Sequence, residues 1–182
     1  MRFFGNSVLS ILTKLASGYW HVSDTQTGYA TISLAALEAI DIYDIYRYYG
    51  YPNDMLVKLN IAYCTVSEVR IKPVYHIGEQ SKMKIRKVVR KVSWLLLKLF
   101  FYRLWKKYLF RDFHPLFLLY HLSFLLLLCA IPYAGKIIYY AVSGRTVGTL
   151  PVLAFLFLSV TGLQAMFFAM WMDMQDNERL YQ

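Results

Sequence analysis

Two carboxylates beside turns are the side chains of this sequence that are best placed for chemistry. Asp24 lies in the polar loop HVSDTQTGY, where it and Gly28 bracket a turn. Asp54 follows a Gly-Tyr-Pro-Asn turn and stands at the mouth of an amphipathic run, MLVKLNIA. Each carboxylate also has a purely structural explanation, an Asx turn for Asp24 and a favourable charge at a helix N-terminus for Asp54.

Other chemistry-bearing patterns are missing from the sequence. It contains no Gly-rich phosphate loop and no arrangement typical of a Ser or Cys nucleophile. Cys64 and Cys129 stand alone, one in the polar part of the chain and one in an apolar stretch. Neither a disulfide nor a zinc site is predicted from them.

Two uncharged stretches predict a membrane protein. The 182 residues are 58% hydrophobic, and the mean hydropathy of +0.37 exceeds that of an ordinary soluble domain. Residues 116–135 and 147–172 carry no formal charge, and a bilayer core of about 30 Å needs about 20 helical residues. His121 and Pro132 lie in the first stretch, and both are compatible with a transmembrane helix.

The net charge of +9 is concentrated in one segment that precedes the first span. Its basic residues, uninterrupted by any acid, are Lys82, Lys84, Arg86, Lys87, Arg90, Lys91, Lys98, Arg103, Lys106, Lys107 and Arg111. Bulky apolar side chains alternate with them, which favours helices lying on anionic lipid over a nucleic-acid interface. At 100° per residue the basic stripe changes face near residues 99–102, so we expect two consecutive interfacial helices.

The same charges predict the orientation of the chain in the membrane. Eleven Lys and Arg residues lie in the segment directly before the first span, whereas the connection between the spans has only Lys136 and Arg145. The positive-inside rule therefore places the residues before the first span and the C-terminal tail, hence both termini, in the cytoplasm.

Residues 1–81 predict a partial α/β domain. An amphipathic helix at the N-terminus, with Phe4, Val8 and Ile11 at helical spacing, is followed by a short helix, ISLAALEAI, for which Ser33 is the expected cap. The segment TVSEVRIKPVY alternates apolar and polar residues as a strand does. One strand and three short helices bury only a marginal core, so we expect the second half of an α/β domain.

Four motifs in order resemble the C-terminal half of a membrane-bound family 2 glycosyltransferase, of the dolichol-phosphate or polyprenyl-phosphate sugar synthase type. They are SDTQTGYATISLAAL, GYPNDMLVKL, VSEVRIKPVY and GEQSKMKI, followed by the two predicted spans. The resemblance implies the second half of a GT-A-like fold (1–81), interfacial amphipathic helices (82–114), a two-helix transmembrane hairpin (115–172, with spans at about 116–135 and 149–171) and a cytoplasmic tail (173–182).

Such enzymes transfer a sugar from a nucleotide donor to a lipid phosphate at the cytoplasmic face. By resemblance, Asp24 faces the acceptor and acts as a base or orients it, and Ser81 and Lys82 lie near its phosphate. Asp54 and Gly28 then contribute to the wall of the site. For Asp54, the favourable position at a helix N-terminus is the preferred explanation, and Lys82 is equally well explained as the start of the basic segment.

Two departures from the family pattern limit what the chain is expected to do. Tyr75 and His76 occupy the region before Gly-Glu where many relatives carry an arginine. The Asp-x-Asp pair that holds Mg or Mn under the donor diphosphate is also missing; the nearest approaches are DIYD (41–44) and DMQD (173–176). No cofactor is therefore expected in this chain, although a complete family member would hold a divalent metal.

The expected function is the acceptor-side and membrane-anchoring half of a glycosyltransferase, inactive alone. It would be a truncated gene product or would work with a separate donor-binding half. Its expected ligands are anionic membrane lipid and a polyprenyl-phosphate acceptor, and no nucleic acid. The alternatives are a non-catalytic membrane scaffold and a simple lipid-binding protein.

Overall fold

A computed structural model describes residues 2–23, 29–69 and 85–182, with side chains from 8 onward in the first range and from 89 onward in the last. The helices are α1 (Arg2–Ser17), α2 (Leu34–Glu38), α3 (Tyr51–Ile61), α4 (Ile85–Trp105), α5 (Pro115–Val142) and α6 (Thr149–Glu178). A 3₁₀ turn covers Ile42–Asp44, and a π-helical segment, Lys106–Arg111, follows α4. The chain divides into unit 1 (Met1–Arg111 and Met174–Gln182) and unit 2 (Asp112–Asp173).

Helices α1, α3 and α4 pack against one another in unit 1. The predicted helix at the N-terminus is confirmed as α1, but its buried face is not the expected one: Leu9, Thr13 and Ala16 are buried at spacings of three and four residues, whereas Val8 and Ile11 are exposed. Helix α4 buries one apolar face in the same way; its buried residues are Val92, Leu96, Leu99, Phe100 and Leu104. A second cluster next to this core joins Tyr19, Val22, Ile40, Leu59 and Leu180.

The predicted cap of α2 is confirmed, because the Ser33 hydroxyl accepts a hydrogen bond from the Ala36 backbone N–H at 3.2 Å. This short helix buries none of its own residues. The tyrosines that follow it are also exposed, and Tyr43 retains 85% of its accessible surface. Ile40 is the buried apolar anchor of the segment from 29 to 49, with Ala36 and Ile45 packed against the same cluster.

The expectation of an α/β domain, the second half of a GT-A-like fold, is wrong. Helices form the regular structure of the described residues, which contain no strand or sheet. Of the predicted strand, Val66 forms one isolated parallel bridge with Tyr181: its N–H donates to Leu180 O, and its carbonyl accepts from the Gln182 N–H. Residues 70–75 of that prediction lie outside the described residues.

The physical reason for this correction is the missing partner strand. Alternating side chains are compatible with an extended backbone, but a strand exists only where neighbouring strands satisfy its N–H and C=O groups. Within the described residues, the segment 180–182 supplies those groups at Val66, and no pairing continues along residues 67–69. The alternation around Val66 therefore produces one bridge instead of a sheet.

Unit 2 contains the two predicted apolar helices. Both α5 and α6 are long and apolar enough to cross a membrane, and each has a mean hydropathy of 2.0 in its most apolar window. Pro132 lies inside α5 without ending it. Close approach of the two helices is visible at Gly162, where an added Cβ would lie 3.0 Å from Leu127 Cγ.

Candidate functional site

Asp54 lies in the first turn of α3 and is almost completely buried. Its Oδ2 accepts a hydrogen bond from the Tyr46 backbone N–H at 2.8 Å and lies 3.4 Å from Lys58 Nζ one turn further along. Gly50, which precedes the helix, allows α4 to approach closely, since a Cβ there would meet Leu95 Cδ2 at 2.1 Å. The Gly-Tyr-Pro-Asn-Asp turn thus holds α3 against α4 and ties the preceding loop to α3.

Lys58 joins Asp54 to the 3₁₀ turn. Its ammonium group donates to Asp44 O and lies 3.0 Å from Asp44 Oδ2. Desolvation lowers the pKa of Lys58, but the hydrogen bond to Asp44 and the charges of Asp54 and Asp44 outweigh it, so that the pKa is raised. Through its Oδ2 atom, Asp54 holds the loop 44–50 to α3.

Four of the predicted site residues, Asp24, Gly28, Ser81 and Lys82, lie outside the described residues. Asp54 is the predicted site residue that the structure describes. The polar centre of the described part of unit 1 is found elsewhere, between α3, the π-helical segment and the residues that end α6.

Lys107 is the centre of this buried polar cluster. Its side chain is completely buried. The ammonium group lies 2.6 Å from Asn177 Oδ1, 3.2 Å from Asn60 Oδ1 and 3.1 Å from Asp176 Oδ2. It also lies 5.0 Å from the centre of the Tyr108 ring. A buried ammonium is tolerated only with such partners, so this cluster fixes the position of the π-helical segment against α3.

The remaining polar groups of the cluster bind one another. Tyr108 OH donates to Asp176 Oδ2 at 3.1 Å and accepts from Asn177 Nδ2 at 2.8 Å. Asn60 Nδ2 donates to Asn177 Oδ1 at 2.7 Å, which connects α3 to the last turn of α6. The contact between Asn60 and Asn177 joins residues 117 positions apart in the chain.

Arg103 is a second completely buried cation in unit 1. Its Nε donates to Ala16 O at 2.9 Å and its Nη2 to Leu15 O at 3.0 Å. These are carbonyls of the last turn of α1, where a cation interacts favourably with the helix dipole. Gly18 leaves the necessary space, because a Cβ at that position would lie 2.5 Å from Arg103 Nη1.

Helix α4 presents a second, exposed face that mixes aromatic and basic residues. Trp94 and Trp105 keep 60% and 43% of their accessible surface, and Lys98 Nζ lies 5.7 Å from the Trp94 ring centre. At 100° per residue the exposed face is continuous; it comprises Arg90, Lys91, Trp94, Leu97, Lys98, Tyr102 and Trp105. An exposed helix face of this composition is typical of a helix lying at a membrane surface.

Sequence reasoning did not single out Arg103 and Lys107, which it assigned to the basic segment as a whole. One signal pointed to them, namely the change of face of the basic stripe near residues 99–102. This change marks three residues, of which Arg103 and Lys107 are buried and Lys106 is exposed. The structure shows both side chains buried in the polar contacts of unit 1.

The described residues define a helical protein with two membrane-length apolar helices and a helical unit built around buried polar contacts. Among those residues, no group of three or more His, Cys, Asp or Glu side chains is arranged to hold a metal ion. No protein-family model, curated protein or solved structure matches the chain.

Proposed function

We propose that this chain is the acceptor-side and membrane-anchoring part of a glycosyltransferase that moves a sugar from a nucleotide donor to a polyprenyl-phosphate lipid. The observation that carries the proposal is the exposed aromatic and basic face of α4, directly before two membrane-length helices. A lipid phosphate acceptor lies at the headgroup level, where such a helix would hold the adjoining residues. The order of the four sequence motifs supplies the glycosyl-transfer part of the proposal.

The roles within the proposal follow from the motifs. Ser81 and Lys82 contact the acceptor phosphate, with the lysine acting as a point charge. Asp24 orients the acceptor, since a phosphate oxygen is already anionic and positioning matters more than removal of a proton. The donor nucleotide is bound by a partner polypeptide. The catalytic side of the membrane is the cytoplasmic one, in agreement with the distribution of Lys and Arg.

Binding of the acceptor by the full chain in nanodiscs tests this proposal. A polyprenyl phosphate is compared with the polyprenyl alcohol of the same chain length and with phosphatidylglycerol. We expect saturable binding of the polyprenyl phosphate alone, weakened about tenfold by Lys82→Gln, which corresponds to about 1.4 kcal/mol. Lys84→Gln is the matched control in the same segment. Equal binding of the alcohol would overturn the acceptor role, and equal binding of phosphatidylglycerol would identify a general lipid-binding protein.

A membrane scaffold is the second candidate, and the exposed tyrosines of unit 1 favour it. Tyr43, Tyr48 and Tyr49 keep between 63% and 85% of their accessible surface, and an apolar patch of this kind usually contacts a partner. A triple Tyr→Ser variant at these positions separates the two candidates in cells. Loss of biological activity in this variant, with full activity in Asp24→Asn and Lys82→Gln, would establish the scaffold instead of the transferase.

A further inference from the structure

Helix α3 ends in a turn that normally requires glycine. The Cys64 N–H donates to Leu59 O at 2.9 Å and the Tyr63 N–H to Asn60 O at 3.0 Å, which is the hydrogen-bond pattern of a Schellman motif. Tyr63 occupies its left-handed position with φ of 58°. A non-glycine residue there costs about 1–2 kcal/mol, so contacts of the tyrosine ring must hold it in place.

Three cations surround that ring. The guanidinium carbons of Arg111 and Arg179 lie 4.6 and 5.6 Å from the ring centre, and Lys107 Nζ lies 4.8 Å from it. Lys107 belongs to the buried polar cluster, whereas Arg111 and Arg179 are exposed. The ring of Tyr63 therefore makes cation–π contacts with two arginines at the surface of unit 1.

Both arginines keep donors available for a ligand. Within the described residues, Arg111 donates through Nη1 to Ile61 O, and Arg179 Nη2 lies 3.7 Å from Asp176 Oδ1. The first bond neutralises a carbonyl at the C-terminal end of α3, which would otherwise repel an anion. A guanidinium group has five N–H donors in a fixed fork, so the outward-facing N–H groups of each arginine can bind phosphate oxygens.

The two arginines stand at the ends of the two membrane-length helices. Arg111 precedes the first residue of α5, Pro115, by four positions, and Arg179 directly follows the last residue of α6. Arg179 lies seven positions after Met172, the end of the apolar stretch, which is about 10 Å at 1.5 Å per residue. Phospholipid phosphates lie just outside the hydrocarbon core, at this level.

We propose that Arg111, Arg179 and the ring of Tyr63 form a binding site for the phosphate group of an anionic membrane phospholipid. The guanidinium carbons of both arginines lie within 5.6 Å of the centre of the same ring, and each group can make charge-assisted hydrogen bonds with phosphate oxygens. This site is separate from the residues assigned to the acceptor, so it goes beyond the proposed function and does not depend on it. It would hold the ends of both apolar helices at the headgroup level.

Lipid retention by the full chain tests the site. The purified protein is titrated with dihexanoyl phosphatidic acid and with dihexanoyl phosphatidylcholine, and bound lipid is counted by native mass spectrometry. We expect phosphatidic acid to bind selectively and the double variant Arg111→Gln, Arg179→Gln to bind it at least tenfold more weakly. The matched control is Lys106→Gln, Arg145→Gln, which removes two other exposed charges and should change the affinity less than threefold.

Inorganic phosphate and a second variant complete the experiment. Inorganic phosphate that binds as tightly as phosphatidic acid would identify a soluble phosphate as the ligand and overturn the lipid assignment. Tyr63→Gly fits the left-handed turn and removes only the ring, so we expect weaker lipid binding at unchanged or higher thermal stability. Unchanged affinity in either the double variant or Tyr63→Gly, or equal affinity for phosphatidylcholine, would refute the site.

Discussion

Replacement of Lys107 by methionine is the most direct test of the buried polar cluster. Methionine keeps the length and apolar contacts of the lysine side chain but removes the ammonium group. Asp176 then loses an ion pair of 3.1 Å, and the oxygens of Asn60 and Asn177 lose a donor at 3.2 and 2.6 Å. Neither effect is compensated by water, because Lys107 is completely buried.

The expected loss of stability follows from these contacts. Removal of one partner of a buried ion pair costs about 3–5 kcal/mol. The lower end applies here, about 3 kcal/mol, since Asp176 is partly exposed and keeps the hydrogen bond from Tyr108. In a protein of this size 1 kcal/mol shifts the melting temperature by about 2–4 °C, so Lys107→Met should lower it by about 6–12 °C.

Thermal unfolding of the full chain in detergent, followed by near-ultraviolet circular dichroism, measures this shift. Lys106→Met is the matched control, because Lys106 is the exposed neighbour; we expect a change within about 0.5 kcal/mol for it. A double-mutant cycle with Asp176→Asn should show a coupling energy of about 1–3 kcal/mol. Equal melting temperatures for Lys107→Met and Lys106→Met would refute the role of the ammonium group as the centre of the cluster.

Three further predictions concern unit 1 and use the same unfolding assay. Gly18→Ala should destabilise the protein more than Gly144→Ala. Both glycines have positive φ, so each substitution costs about 1–2 kcal/mol in backbone strain, but only at Gly18 does the new Cβ also displace Arg103. Equal decreases in melting temperature for the two variants would contradict this explanation. Burial raises the pKa of Tyr19, so the unfolded chain loses the phenol proton before the folded chain does as the pH rises past about 10, and the free energy of unfolding falls there. Tyr19→Phe should reduce this alkaline loss of stability, at a cost of about 1 kcal/mol at neutral pH for the hydrogen bond to Cys64 O. An unchanged dependence of stability on pH between about 9 and 11 in this variant would count against the explanation. Asp54→Ala should destabilise more than Asp54→Asn, by about 1 kcal/mol, since asparagine still accepts from the Tyr46 N–H; identical melting temperatures would show that this bond contributes nothing.

Local signals in the sequence were sufficient for most helices. The helical spacing of Val8 and Ile11 predicted α1, and the hydroxyl of Ser33 predicted the start of α2. The two apolar stretches predicted the helices that are long enough to cross a membrane. Each of these features depends on residues within one continuous stretch, so no knowledge of the rest of the chain was needed.

Features that depend on distant partners were not predictable in this way. The alternation around Val66 indicated a strand, but whether a strand forms is decided by partners elsewhere, and among the described residues only 180–182 pair with it. Likewise Lys107 is buried because Asn177 and Asn60 meet it from 70 and 47 positions away. The sequence shows that a lysine is present, but whether its side chain is exposed or buried depends on contacts with distant residues, which local patterns do not contain.

The division of unit 1 into two separate stretches of the chain has a consequence for its synthesis. The first stretch ends at Arg111 and the second begins at Met174, so the whole of unit 2 is made between them. When Lys107 leaves the ribosome, its partners Asp176 and Asn177 have not yet been translated. The polar cluster therefore closes only after both apolar helices have been synthesised, so unit 1 is completed last. A ribosome stalled between α5 and α6 would hold a nascent chain in which the polar cluster has not yet formed. The protease sensitivity of unit 1 would then report whether α6 has been synthesised.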